Sequence, residues 1–194
     1  MIRLERPECP NPTALAKRNY KASANKEALR KSTSGKCMYC EGKSGHVSHP
    51  HVEHIKPKSK FPELEFEWDN LGFCCAVCNN NKNDKYDEST PFINPYDEDP
   101  ARHIVFAGYI IFTMHGSERG EFTIRKLKLN RIELVEDREE KMKGVISMIN
   151  EAYRTSNAYL RNATIEEIKK MAEKDQEYSA MVKSFLVAQK IITT

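Results

Sequence analysis

The chain has 194 residues, 39% of them hydrophobic and 30% charged, with a formal net charge of +3. That size suits one ordinary domain, or a small module with a helical appendage, and the composition points to a modest core with large solvated helical faces. No apolar run approaches the roughly 20 residues that span a bilayer. The opening MIRLERPECP is too polar for a secretory signal, and +3 is too weak a field to announce a nucleic-acid partner by itself. The expected setting is the reducing cytoplasm, where paired cysteines read as metal ligands rather than disulfides.

In chain order, residues 1–10 form an extended, proline-containing arm. Asn11-Pro12 predicts a helix from Pro12 to about Tyr20, with Asn11 as cap and proline in the first turn. Asn25 is a second start signal, and Gly35 a stop. Cys37-Met38-Tyr39-Cys40 predicts a tight turn. The stretch from His49 to Ile55 (HPHVEHI) has strand character and Pro57 closes it. A polar linker, Lys58 to Glu67, precedes a second short strand at Leu71-Gly72-Phe73. A helix from Cys75 to about Tyr86 should carry Asn79 and Lys82. A proline-punctuated connector, TPFINPYDEDP, covers Thr90 to Pro100.

Farther on, His103–Phe112 and Phe122–Leu127 read as strands around a turn near Gly116 to Gly120. Asn130 opens a capping box with Glu133, after which Ile132, Val135, Met142, Val145, Ile149 and Ala152 recur at helical spacing. A last helix is expected from Thr164, boxed by Glu167. Its apolar stripe is Ile168, Met171, Tyr178, Met181, Phe185 and Leu186, more simply core than a docking face.

Four cysteines carry the strongest signal. Cys37/Cys40 and Cys75/Cys78 are two Cys-x-x-Cys pairs, and four thiolates at that spacing make a structural zinc site. Cys74 could replace Cys75, but only Cys75 keeps the two-residue spacer. Residues 41 to 74 separate the pairs, more than the roughly 15–20 of a plain zinc ribbon. The excess leaves room for two strands and a loop. Four thiolates close the coordination shell, so this zinc holds structure and does no chemistry. Cys9 and Cys74 are left over as small hydrophobes.

The segment between the pairs holds Glu53, His54 and Asn70, with Asn79 just beyond. A histidine takes a proton near neutral pH. Glu53 and Asn79 offer hard oxygen ligands of the sort Mg²⁺ or Mn²⁺ prefers. Asn70 can hold loop carbonyls that aim the histidine. His46, His49 and His51 crowd the same strand, more simply as a polar face than as a second metal site. Lys56, Lys58, Lys60, Lys82 and Lys85 flank the motif and could neutralise phosphates, or be ordinary surface lysines.

C-x2-C, E-H-I-x-P, W-D-N-L and C-x2-C-N-x2-K, in this order, resemble the HNH endonucleases of the ββα-metal superfamily. The resemblance implies His54 as general base, Asn70 as orienting residue, and Glu53 as ligand of a catalytic Mg²⁺ or Mn²⁺. Asn79 stands where the motif usually ends in histidine; its carbonyl oxygen can still ligate that cation. IRLERPECPNP, KCMYCE, VEHIKPKSKFP, WDNLGF, FINPYDEDP and LNR look, more closely, like the PtuB family, the nuclease component of Septu-type anti-phage defence systems, also found attached to certain retrons. That likeness covers most of residues 1 to 135. It implies a DNA substrate and a PtuA-like ATPase partner of the ABC or SMC type.

The expected fold is therefore α+β: a zinc-stabilised ββα-metal HNH module with flanking helices and a C-terminal helical region. The expected divisions are an N-terminal helical arm (1–36), the nuclease core (37–90), a connector with short strands (91–128) and a C-terminal helical region (129–194) that could dock a partner. The expected activity is metal-dependent hydrolysis of DNA phosphodiesters. The competing expectation is a non-catalytic zinc module that adapts nucleic acid or protein, with Asn79 marking a lost activity.

Overall fold

The computed structural model describes residues 1–43 and 51–193. The strand expected to begin at His49 therefore starts, among described residues, with β1 at His51–His54; His46 and His49 lie outside them. β1 pairs antiparallel with β2 (Leu71–Cys74), with Glu53 opposite Gly72 and His54 opposite Leu71. Gly72 leaves room for Met38, whose sulfur would have to move if a Cβ were present. α3 (Ala76–Lys82) follows directly, the Cys75 sulfur capping its first turn by accepting from Cys78 N at 3.4 Å.

The N-terminal arm is riveted to this hairpin. Asn11 caps α1 (Pro12–Ala16) by accepting from Ala14 N, as its sequence position implies, but the helix stops short of Tyr20. α2 spans Ser23–Ser32, so Asn25 lies inside it rather than at its cap. Its buried amide instead accepts from Asn11 N at 3.0 Å and donates to Asn11 O at 3.1 Å, locking α1 to α2. Leu15 and Leu29 form a small second core with Leu71 and Phe73 of β2, against which Tyr20, Val52 and Trp68 pack. Trp68 Nε1 donates to Pro7 O at 2.7 Å, and Arg6 donates to the carbonyls of Trp68 and Leu71.

Beyond the connector, the expected long strand from His103 is a hairpin: β3 (Ile104–Ala107) and β4 (Ile110–Thr113), antiparallel, with Ala107 opposite Ile110. Gly108 at φ 61° makes the turn, a backbone state that glycine adopts without steric cost. Phe122–Leu127 is not a strand. It belongs to α4 (Glu118–Leu127), whose cap Ser117 accepts from Gly120 N at 3.1 Å. Phe122 and Ile124 alternate well enough to imitate a strand, but the Ser-Glu-Arg-Gly start favours helix.

α5 (Ile132–Arg154) begins near its expected place, though Asn130 is not its cap. The Asn130 amide accepts from Ile111 N and donates to Ile111 O, so it braces β4 instead. Leu134, Met142, Val145, Ile149 and Ala152 are buried along α5, while Ile132 is exposed. The expected helix from Thr164 is two helices: α6 (Ala158–Lys170), capped by Asn157, and α7 (Ser179–Ala188). Thr164 lies inside α6 and bonds back to Leu160 O, a common use of a mid-helix threonine. Between α6 and α7 the carbonyls of Lys174 and Gln176 are taken by the buried Lys36 ammonium, at 2.5 and 2.8 Å.

That lysine joins the C-terminal helices to the cysteine turn. Glu41 accepts from Ser179 Oγ and Ala180 N, and pairs with Lys36 and the Met1 ammonium. Burial alone would raise the Glu41 pKa, but the Met1 and Lys36 charges hold it below the usual carboxylate value. The helical apolar stripe is core: Ile168, Tyr178, Met181 and Leu186 are buried in one cluster with Met38 and Tyr39, and Met171 and Phe185 pack against it. Among the described residues no helix is long and apolar enough to cross a membrane.

Candidate active site

Cys37, Cys40, Cys75 and Cys78 bring their sulfurs within 4.8 Å of one another, with Cys40 and Cys75 Sγ 4.0 Å apart. A tetrahedral zinc with bonds of about 2.3 Å needs sulfurs about 3.8 Å apart, so the four fit a structural zinc closely. Cys74 is not among them. It points from β2 toward Glu53, its sulfur 4.0 Å from Oε2. Arg131 reaches Cys78 Sγ at 3.7 Å and supplies positive charge beside the thiolates. Hydrogen bonds from Cys37, Cys40 and Cys78 hold Cys75 far below the usual thiol range, while burial pushes Cys37 up.

Glu53 is 2% exposed. Its Oε1 accepts from Lys82 Nζ at 2.7 Å and from the Tyr39 hydroxyl at 3.4 Å, leaving Oε2 with only the weak Cys74 thiol. Burial raises the Glu53 pKa, and Lys82 opposes that shift. The same Lys82 ammonium donates to His54 O at 2.7 Å. Lys82 is therefore no phosphate ligand: it is buried and consumed by the motif itself. Lys85 and Lys60 remain exposed, bonded to Asn81 O and Tyr86 O.

His54 Nε2 meets Glu65 O at 3.0 Å. A carbonyl only accepts, so Nε2 carries the proton and Nδ1 is left as the basic nitrogen. Burial lowers the His54 pKa, against the Glu65 hydrogen bond, and so favours the neutral ring. Asn70 fixes the loop that presents that carbonyl. Its Oδ1 accepts from Lys56 N at 2.7 Å, and its Nδ2 donates to Lys56 O and Leu64 O, both at 3.0 Å.

Asn79, in α3, is bonded through its side-chain nitrogen to His51 Nδ1 at 2.8 Å. His51, Glu53, His54 and Asn79 line one cleft of ≈ 820 Å³. Adjacent residues on a strand start on opposite faces, yet Glu53 and His54 both reach this cleft. The Glu53 carboxylate and the Asn79 side-chain carbonyl are oxygen donors of the kind a hard divalent cation takes, so these two residues of the cleft fit one. Tyr20, Lys21 and Lys26, far upstream in the chain, line the cleft too. No local motif marks them.

Residues 37–85, which hold the cysteine cluster and the cleft's central side chains, match the HNH endonuclease family. The matching segment is built on one of the two small antiparallel strand pairs among the described residues, with helices around it. The chain's curated relatives include the Septu protein PtuB of Bacillus thuringiensis, 31% identical over 147 residues, which covers 69% of this chain and 56% of that protein. The Septu protein PtuB of Bacillus mycoides (strain KBAB4) is 30% identical over 158 residues, 65% of this chain and 53% of that protein. The chain spans about half the length of the curated relatives it matches.

Proposed function

We propose that this chain is a metal-dependent endonuclease that hydrolyses DNA phosphodiester bonds, the effector of an anti-phage defence system working with a PtuA-like ATPase of the ABC or SMC type. One observation carries the reading: an imidazole held at Nε2 by a backbone carbonyl lines the same cleft as a carboxylate and an amide, beside a closed cluster of four cysteines, in a segment matching HNH endonucleases. The similarity to Septu PtuB proteins supports the defence role, and the ATPase partner is what the resemblance to that family implies.

In this reading His54 Nδ1 takes a proton from water as the resulting hydroxide attacks a backbone phosphate. The Glu65 carbonyl holds the ring by Nε2 and stabilises the imidazolium that forms, while Asn70 keeps that loop in place. Glu53 and Asn79 would hold a Mg²⁺ or Mn²⁺, which when bound supplies Lewis-acid stabilisation of phosphate charge and of the leaving oxygen. The four clustered cysteines, sharing their zinc, keep β2 and α3 in register with the cysteine turn. Lys82 ties Glu53 to the His54 backbone, so ligand and base share one rigid support.

The test is Mn²⁺ binding and plasmid nicking in parallel, with and without the ATPase and ATP. Glu53→Ala and Asn79→Ala should lose Mn²⁺ binding and nicking with zinc content unchanged. Mn²⁺ binding unaffected by both substitutions would refute the ligand assignment. DNA bound but never cut under any of these conditions would favour the adaptor reading.

A further inference from the structure

The cleft is not closed by the matched segment alone. Tyr20, from the turn after α1, sets its ring 4.6 Å from that of His54 at an interplanar angle of 74°, an edge-to-face contact. Tyr20 is held from behind by the Leu15–Leu29–Leu71–Phe73 cluster, so burial of the arm on β2 fixes where the ring sits. Its hydroxyl lies 3.4 Å from Lys58 Nζ, and that ammonium also lies over the ring at 5.1 Å. Lys21 and Lys26 line the same cleft. Lys58 is paired with Glu65 at 3.0 Å, which leaves Lys21 and Lys26. Among the described lining residues the carboxylates are Asp84 and Glu53, and Glu53 is already neutralised by Lys82. The arm therefore adds positive charge to the wall of the cleft that holds the imidazole.

We infer that the N-terminal arm is a working part of the nuclease site: Tyr20 is a positioning residue for His54, and Lys21 and Lys26 seat the DNA backbone phosphates flanking the attacked one. This rests on the DNA-hydrolase reading above. The imidazole is held at Nε2 by a carbonyl, which fixes distance but leaves the ring free to rock about that bond. The edge contact from Tyr20 removes that freedom. A flanking phosphate on the lysines then brings the scissile one to the Nδ1 side.

Two measurements on the full chain test this. In a His54→Ala background that cannot cut, binding of a short DNA duplex is followed by anisotropy across a salt series. Lys21→Ala/Lys26→Ala should weaken binding about tenfold or more and flatten the log–log salt slope by about 2, since each phosphate contact contributes about 0.9. In the otherwise unaltered chain, Tyr20→Phe should keep kcat while Tyr20→Leu, which still fills the apolar seat, should lose about tenfold or more in kcat with KM little changed. A parent that cuts DNA while Tyr20→Leu cuts equally fast, or while the lysine variant keeps the parental slope, overturns the inference and leaves the hydrolase reading standing. A parent that neither binds nor cuts DNA removes both.

Discussion

Lys82 Nζ lies 2.7 Å from Glu53 Oε1 and 2.7 Å from the backbone oxygen of His54, so one buried ammonium holds both halves of the Glu-His pair. Its geometry explains why a lysine sits one helical turn after Asn79. Lys82→Met would leave the Glu53 carboxylate buried without its partner, a loss of about 3–5 kcal/mol for a broken buried pair. Thermal melting should fall accordingly, and nicking with it. A melting temperature equal to the parent's would show that the pair carries no structural weight.

The cysteines should behave differently from the cleft residues. Cys40→Ser is expected to lose bound zinc and cooperative unfolding together, because metal binding and folding are linked in such sites. A chelator should do the same to the parent. Zinc counted by absorption spectroscopy, alongside the melt, checks this; retained zinc with unchanged melting would refute the structural role.

Asn70 makes three side-chain hydrogen bonds to backbone groups of the loop that presents the Glu65 carbonyl to His54. Asn70→Ala leaves those groups unpaired, at a cost of about 1–3 kcal/mol for each that stays buried. Cleavage should fall by about 10²-fold from misplacement of the imidazole, with zinc content unchanged. Steady-state nicking rates read against melting curves separate the two effects.

Two glycines give opposite expectations. A Cβ at Gly120 would overlap the backbone carbonyl oxygen of His103, which cannot swing aside. Gly120→Ala should destabilise by about 1–3 kcal/mol. Gly144, inside α5, has open space, so Gly144→Ala should stabilise by about 0.5–1 kcal/mol through helix propensity. Urea unfolding of the two variants checks both signs.

How much of this is legible in the sequence depends on the range of the forces involved. Cys-x-x-Cys spacing, the Leu71–Phe73 strand and the helix after Cys75 are set by local geometry and can be read directly. The β3–β4 hairpin hides because Gly108 sits inside an otherwise continuous apolar run. α4 imitates a strand because Phe122 and Ile124 alternate, although Ser117 carries a cap signal. Asn25 and Asn130 look like caps, yet both amides bond to backbone of other elements, which spacing alone does not reveal. Lys82 reads like its exposed neighbours until its burial is seen. Tyr20 reaches His54 only because Leu15 and Leu29 pack on β2, and no pattern near residue 20 records that.

The most direct measurement is the pH dependence of DNA nicking by the parent and by His54→Ala, with zinc content checked in both. Neutral imidazole is the working form and burial lowers its pKa, so the acid limb of the parent's rate should have its midpoint below the 6.5 of an ordinary imidazole. A cation held nearby would shift that limb in the same direction. His54→Ala should lose both the rate and the limb while keeping its zinc. Cleavage by His54→Ala at the parent's rate, with the parent's pH profile, would contradict the assignment of this imidazole as the base.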